Sequence, residues 1–244
     1  MFFLGGGLIK VHLFYYYLYM KTIKEYLSEG LIRRQAGMDI KAKIETWLKK
    51  YKVRGYKINS NLTIDVKEDY VNLPNYPDKE LPKYIQFNRV EGCFDISKSN
   101  ITSLKGCPKE CQGFHCYGCN NLTSLEDAPQ ECKIFWCSGC NNLTSLEGSP
   151  RSCGTFWCNS CNNLTTLKGA PEKCDEFKCM GCENLSSLEG APKECTDFWC
   201  SGCENLSSLE GAPKDCREFY CMNCKGNFTK EDVRKVCNAK RIYC

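Results

Sequence analysis

Cys116 and Cys119 with Cys137 and Cys140 read as CxxC, seventeen residues, CxxC. Four thiols at that spacing can close a tetrahedral zinc site of the ribbon type. Twenty-two cysteines in 244 residues also raise two other chemistries, a redox-active thiol array and, in an oxidising compartment, a disulfide framework. The pattern is not confined to one place, however. Cysteines fall at Cys111, Cys116, Cys119; Cys132, Cys137, Cys140; Cys153, Cys158, Cys161; Cys174, Cys179, Cys182; Cys195, Cys200, Cys203; and Cys216, Cys221, Cys224. Eighteen of the twenty-two therefore sit on one lattice with a period of 21. A lattice gives thiols structural work as small buried hydrophobes and turn formers, a reading favoured over the zinc or redox array.

Other catalytic chemistry has little to stand on. The histidines are His12 and His115, no phosphate-binding loop is present, and a cysteine nucleophile would have only His115 as a base. The expectation is a non-enzymatic protein with no cofactor.

The lattice defines a unit, CxxFxCxxCNNLTSLEGAPxE. Phe recurs at Phe114, Phe135, Phe156, Phe177, Phe198 and Phe219, and Leu at Leu122, Leu143, Leu164, Leu185 and Leu206 and again three residues later. In a strand, alternate side chains share a face, so the Phe and the second Cys of FxC point one way and the residue between them the other. One such coil cannot bury its apolar face; stacked coils, with strands about 4.8 Å apart, make a continuous core. Asn120, Asn141 and Asn162 can bond neighbouring backbone at the turn, and Gly148 with Pro150 or Gly169 with Pro171 bend the chain back. A variant coil, VEGCFDISKSNITSLKGCP, precedes the six, with Cys93 expected in the Phe column and Cys107 in the Ala column.

This unit resembles the leucine-rich-repeat pattern LxxLxLxxN/CxL, with Cys, Phe and Cys in the first three apolar places and Cys at the turn. Its short period and recurring LTSLEGAP look like the leucine-rich-repeat-like proteins of tailed bacteriophages and gut bacteria, over about residues 90–224. The resemblance implies an α/β-type repeat protein: a curved leucine-rich-repeat solenoid of seven coils, with short parallel strands, an irregular convex side, an α+β N-terminal cap and a C-terminal capping helix. It also implies a binding module, with a phage structural or accessory part as the alternative.

The residue between Phe and Cys should face outward: His115, Trp136, Trp157, Lys178, Trp199 and Tyr220. Five of the six are aromatic or imidazole, a surface suited to a protein or peptide partner, with a glycan as a further candidate. The competing reading is cross-strand stacking that only stabilises short strands. Flanking columns, among them Ile134, Thr155, Glu176, Asp197 and Glu218, vary from coil to coil, and Glu126, Glu147, Glu189 and Glu210 form an acidic row read as a solvated edge.

The remaining elements frame the solenoid. Residues 1–19 are apolar and aromatic but interrupted by Lys10 and His12, and read as an extension upstream of a start at Met20, with a membrane anchor or signal peptide as alternatives. Membrane contact is expected only if they are retained. Thr22 with Glu25 would cap one helix, and Asp39 a second carrying Ile40, Ile44, Trp47, Leu48 and Tyr51 at helical spacing. Residues 20–89 are assigned to the N-terminal cap, 90–227 to the solenoid, and 228–244 to a helix and tail starting at Thr229. The net charge is +4, and the eleven Lys or Arg against four Asp or Glu from Lys21 to Lys57 lack interleaved aromatics, so no nucleic-acid partner is expected. Free thiols without a clear leader point to a cytoplasmic setting, the host cytoplasm if phage-encoded, or a virion.

Overall fold

The computed structural model describes the backbone of residues 6–67 and 70–244, and the side chains of residues 20–67 and 70–244. Two compact units are present, Met1–Thr46 and Trp47–Cys244. The elements are α1 (Gly6–Lys50), β1 (Tyr56–Ile58), β2 (Ile64–Val66), β3 (Val71–Asn72), β4 (Phe87–Asp95), β5 (Glu110–His115), β6 (Ile134–Trp136), β7 (Ser152–Trp157), β8 (Lys173–Lys178), β9 (Glu194–Trp199), β10 (Asp215–Tyr220), α2 (Lys230–Val236) and β11 (Asn238–Tyr243).

In the larger unit, β2 and β4 to β11 form one sheet whose neighbours are parallel, with antiparallel β1 bonded to β2 and β3 also bonded to β4. The architecture is a β-solenoid of about eight turns. From β5 to β10 each paired residue lies 21 places from its partner, as in Phe156↔Phe177 and Phe177↔Phe198, while β11 pairs with β10 at a spacing of 23. The lattice read from the sequence is thus the register of the sheet.

Each column has a reason for its residue type. The phenylalanines are fully buried and stacked on one another, with centroids 5.2 Å apart for Phe135–Phe156 and 5.5 Å for Phe156–Phe177. The paired leucines are also buried, and the amide of the second one bonds the next coil, as in Leu146 N to Lys168 O at 2.9 Å. Asn120 and Asn141 accept through Oδ1 from the amides of Asn141 and Asn162, the neighbour contact expected of that column. Gly169 is required twice over: its φ is +89°, and an added Cβ would lie 2.4 Å from the Glu147 amide nitrogen. The tight coil-to-coil approach at the Leu-to-Pro corner depends on that missing side chain.

Several expectations are corrected. The first helix begins at Gly6, so Thr22 and Asp39 lie inside α1 and neither starts a helix. Asp39 instead accepts from Gln35 Nε2 at 3.2 Å. Trp47 and Leu48 are buried as the spacing predicted, and Trp47 meets Tyr51, Tyr76 and Phe87. Cys93 is not in the Phe column: an irregularity between Val90 and Cys93 shifts the register, so Phe94 pairs with Phe114 and Cys93 with Gly113. Bulges of this kind insert one residue and re-aim those that follow.

One turn more than the seven expected is present. Val66 pairs with Val90 and Val71 with Phe94. Leu73 N bonds Asp95 O at 2.7 Å, as Ile96 N bonds His115 O at 2.8 Å one turn later. Asn75 and Lys98 both turn at positive φ, 57° and 56°. Residues 64–86 therefore make a coil with Val, Leu and Tyr where later coils carry Cys. At the other end Thr229 caps α2 as expected, accepting from the Asp232 amide while Asp232 accepts from Thr229. The following segment is not a tail but β11, in register on β10.

The expectations for residues 1–19 concern side chains outside those described. Among the described residues no helix is long and apolar enough to cross a membrane.

Gly169→Ala should lower stability by about 2–4 kcal/mol, from a strained left-handed residue plus a backbone overlap. Urea denaturation of the two proteins side by side checks this. A change within about 0.5 kcal/mol would mean that the corner does not need glycine.

Candidate functional site

The outward column is brought together by the sheet register. His115 stacks on Trp136 with centroids 4.5 Å apart, and Trp136 on Trp157 at 4.6 Å with planes 6° from parallel. Lys178 interrupts the rings without breaking the column: its Nζ lies 4.5 Å from the Trp157 centroid and 4.8 Å from that of Trp199. Trp199 stacks on Tyr220 at 3.6 Å, and Tyr220 on Tyr243 at 4.3 Å. All six expected residues are only part-exposed. The ring faces between neighbours are covered by stacking or by Lys178.

Tyr243 extends the column and was missed. The signal was present, since Ile242, Tyr243 and Cys244 repeat the pattern of Phe219, Tyr220 and Cys221 at a spacing of 23 rather than 21. The flanking acids matter as well. Glu176 pairs with Lys178, Asp197 with Arg217 and Glu218 with Arg241, while the Tyr220 hydroxyl donates to Glu218 at 2.6 Å. Three carboxylates stacked in one column would repel, so each is matched by a cation.

Within this otherwise satisfied surface some polar atoms are idle. The Nε1 atoms of Trp136, Trp157 and Trp199 and Nε2 of His115 are buried and make no hydrogen bond. An unsatisfied buried polar group costs about 1–3 kcal/mol, so four in one column weigh against a surface shaped by stability alone.

The cysteines do different work in each column. At the turn, each thiol donates to a carbonyl of the preceding coil: Cys119 to Ile96 O at 3.2 Å, Cys140 to Cys116 O at 3.1 Å, Cys161 to Cys137 O at 3.2 Å, and likewise Cys182, Cys203 and Cys224. The periodicity placed these residues at a turn but did not disclose the bond. Cys116, Cys119, Cys137 and Cys140 are buried, yet among the described residues no three His, Cys, Asp or Glu side chains gather as a metal set. Two of the four thiols are hydrogen-bond donors to backbone, and burial pushes Cys119 up to about 12. Hydrogen bonding to Cys140 and burial hold Cys116 well above the usual thiol range.

The third cysteine column lies where the chain enters each strand. There Cys111, Cys132, Cys153, Cys174 and Cys195 line a groove of about 1200 Å³ between rows of mixed charge. Burial pushes Cys132 up to about 12, so at neutral pH that thiol carries almost no thiolate and is a poor nucleophile. In comparisons with known proteins, no family model, curated protein or solved structure matches the chain.

Burial lowers the pKa of His115 from 6.5, opposed by Asp95. The folded state then binds the proton more weakly than the unfolded one, so stability is complete above about 6.5 and is lost as pH falls below it. Urea midpoints at pH 7.5 and 5.5 should fall for the natural chain by more than for His115→Phe, which keeps a stacking ring. Equal falls in the two proteins would remove His115 as the cause.

Proposed function

We propose that the chain is a non-enzymatic binding module, a solenoid of the leucine-rich-repeat type with an α+β cap before it and α2 capping its far end. It recognises a protein or peptide along the aromatic column of the outer sheet face. The observation that carries this reading is the row of idle polar atoms: three indole N–H groups and His115 Nε2 without partners, set on rings stacked against their neighbours. Rigid aromatic groups lose little entropy on binding and dominate interface energetics.

The geometry also separates partner classes. A sugar stacks on the open face of an aromatic ring, and here the faces are spent on neighbouring rings 4.5–4.6 Å away. A peptide crossing the ring edges can supply carbonyl oxygens to the indole nitrogens once the side chains adjust. The mixed charges of Lys178, Arg217 and Arg241 with Glu176, Asp197 and Glu218 border one end of the column and would set polarity and register.

The test replaces Trp136, Trp157 and Trp199 together by Phe, which keeps stacked rings and removes the donors. The thermal midpoint should stay within a few degrees of the natural chain, while the amount of partner captured from a lysate of the natural host cell falls at least about tenfold, equivalent to ~1.4 kcal/mol. Undiminished capture by the folded variant would leave the column as a stabilising stack only.

A further inference from the structure

Four cysteines stand outside the lattice of eighteen: Cys93, Cys107, Cys237 and Cys244. The last two bracket β11. Cys237 is the C-cap of α2 and immediately precedes the strand, while Cys244 follows it and is exposed. Each lies against a cysteine at the corresponding end of β10. The Cys216 and Cys237 sulfurs are 3.4 Å apart, and those of Cys221 and Cys244 are 3.5 Å apart. Along β10, Cys216 and Cys221 are separated by five residues, about 16 Å of strand, so these are two separate dithiols and not one four-thiol metal site.

We propose that these dithiols are modification sites for a low-molecular-weight disulfide, and that their oxidation to Cys216–Cys237 and Cys221–Cys244 bridges clamps β11 onto the last coil at both ends. The chemistry balances by exchange. One protein thiolate attacks the reagent disulfide, forming a mixed disulfide and releasing one reagent thiol. Its protein partner then attacks the protein sulfur of that mixed disulfide, forming the bridge and releasing the second. Two protein thiols are oxidised for each reagent disulfide reduced, and both protons leave with the reagent thiols or solvent.

Three features single out these pairs. Cys174 and Cys195 also approach, at 3.8 Å, but they sit in register within β8 and β9, where parallel side-chain directions disfavour bridge geometry. Cys216 pairs in register with Ala239, so Cys237 approaches it from two residues away and escapes that constraint, while Cys244 lies one residue beyond the last paired residue of β11, Tyr243. Second, β11 bonds only β10 among the described strands, so fraying of its ends admits a reagent. Third, in the first pair the hydrogen bond from Cys216 holds Cys237 below the usual thiol range, which favours Cys237 as the attacking sulfur there.

The test incubates the full chain, without denaturant, with oxidised glutathione, then blocks remaining thiols and maps tryptic peptides. Expected are the cross-linked pairs DCR with VCNAK and EFYCMNCK with IYC. The second assignment is fixed to Cys221 by its disappearance in Cys221→Ser and persistence in Cys224→Ser. Hydrogen exchange at the amides of 238–243 should slow at least about tenfold on oxidation, recover with a reducing agent, and be insensitive to oxidant in Cys237→Ser/Cys244→Ser. Stable mixed glutathione disulfides, bridges between other cysteines such as Cys174 and Cys195, or mapped bridges without slowed exchange would each overturn the proposal. The mapping uses the natural chain, so it stands even if a variant fails to fold.

Discussion

Successive coils are joined by main-chain hydrogen bonds in parallel register, regular from β5 to β10 and shifted only at the ends, and the other properties of the larger unit follow from that constraint. A residue in such a stack faces its own counterpart one coil away, about 4.8 Å distant. Its type must therefore tolerate repetition. Phe does, because ring lies on ring from Phe94 to Phe219. Leu does through dispersion, and Asn through the side-chain-to-amide bond passed from Asn120 to Asn141 to Asn162. Charge does not, which is why Glu147 meets Lys168 and Lys173 meets Glu194. Where Glu176, Asp197 and Glu218 do stack, Lys178, Arg217 and Arg241 intervene.

The same constraint accounts for the cysteines without metal or disulfide. A thiol is small enough to follow Phe into the core and is a weak donor. At the turn that donor satisfies a carbonyl of the preceding coil, as Cys161 does for Cys137 O. A buried carbonyl left open would cost more than a weak S–H bond returns. The coil ahead of the cysteine lattice does this work with another group: Ser99 Oγ donates to Leu73 O of the first coil at 3.3 Å and accepts from Tyr76 N at 2.8 Å. Cysteine is one solution to the position, not its definition.

The outer face inverts the logic of the core. Its rings stack as regularly as the phenylalanines but leave donors unused, and the one cation in the row is held between two indoles. A lysine between Trp157 and Trp199 keeps the column continuous through cation–π contact, worth about 0.5–2 kcal/mol, while its ammonium pairs with Glu176. Stacking restricts the rotamers of these rings, which reduces the ordering cost of binding.

Periodicity alone determined the lattice, the inward Phe, Cys and Leu columns, the outward column from His115 to Tyr220, and the glycine corner, because an exact repeat makes local pattern and tertiary register the same thing. It failed where the repeat is degenerate. The coil at 64–86 has no cysteine, the irregularity beside Cys93 moves Phe94 into the core, and Tyr243 is offset by two residues. The interior positions of Thr22 and Asp39 were hidden as well, since both residues read locally as caps while the helix runs through them. Only the tertiary structure decided where the thiol protons point, that the ring faces are spent and the indole N–H groups are not, and that Cys237 and Cys244 close on Cys216 and Cys221. Those outcomes depend on side-chain direction across neighbouring coils, which spacing along one chain does not carry.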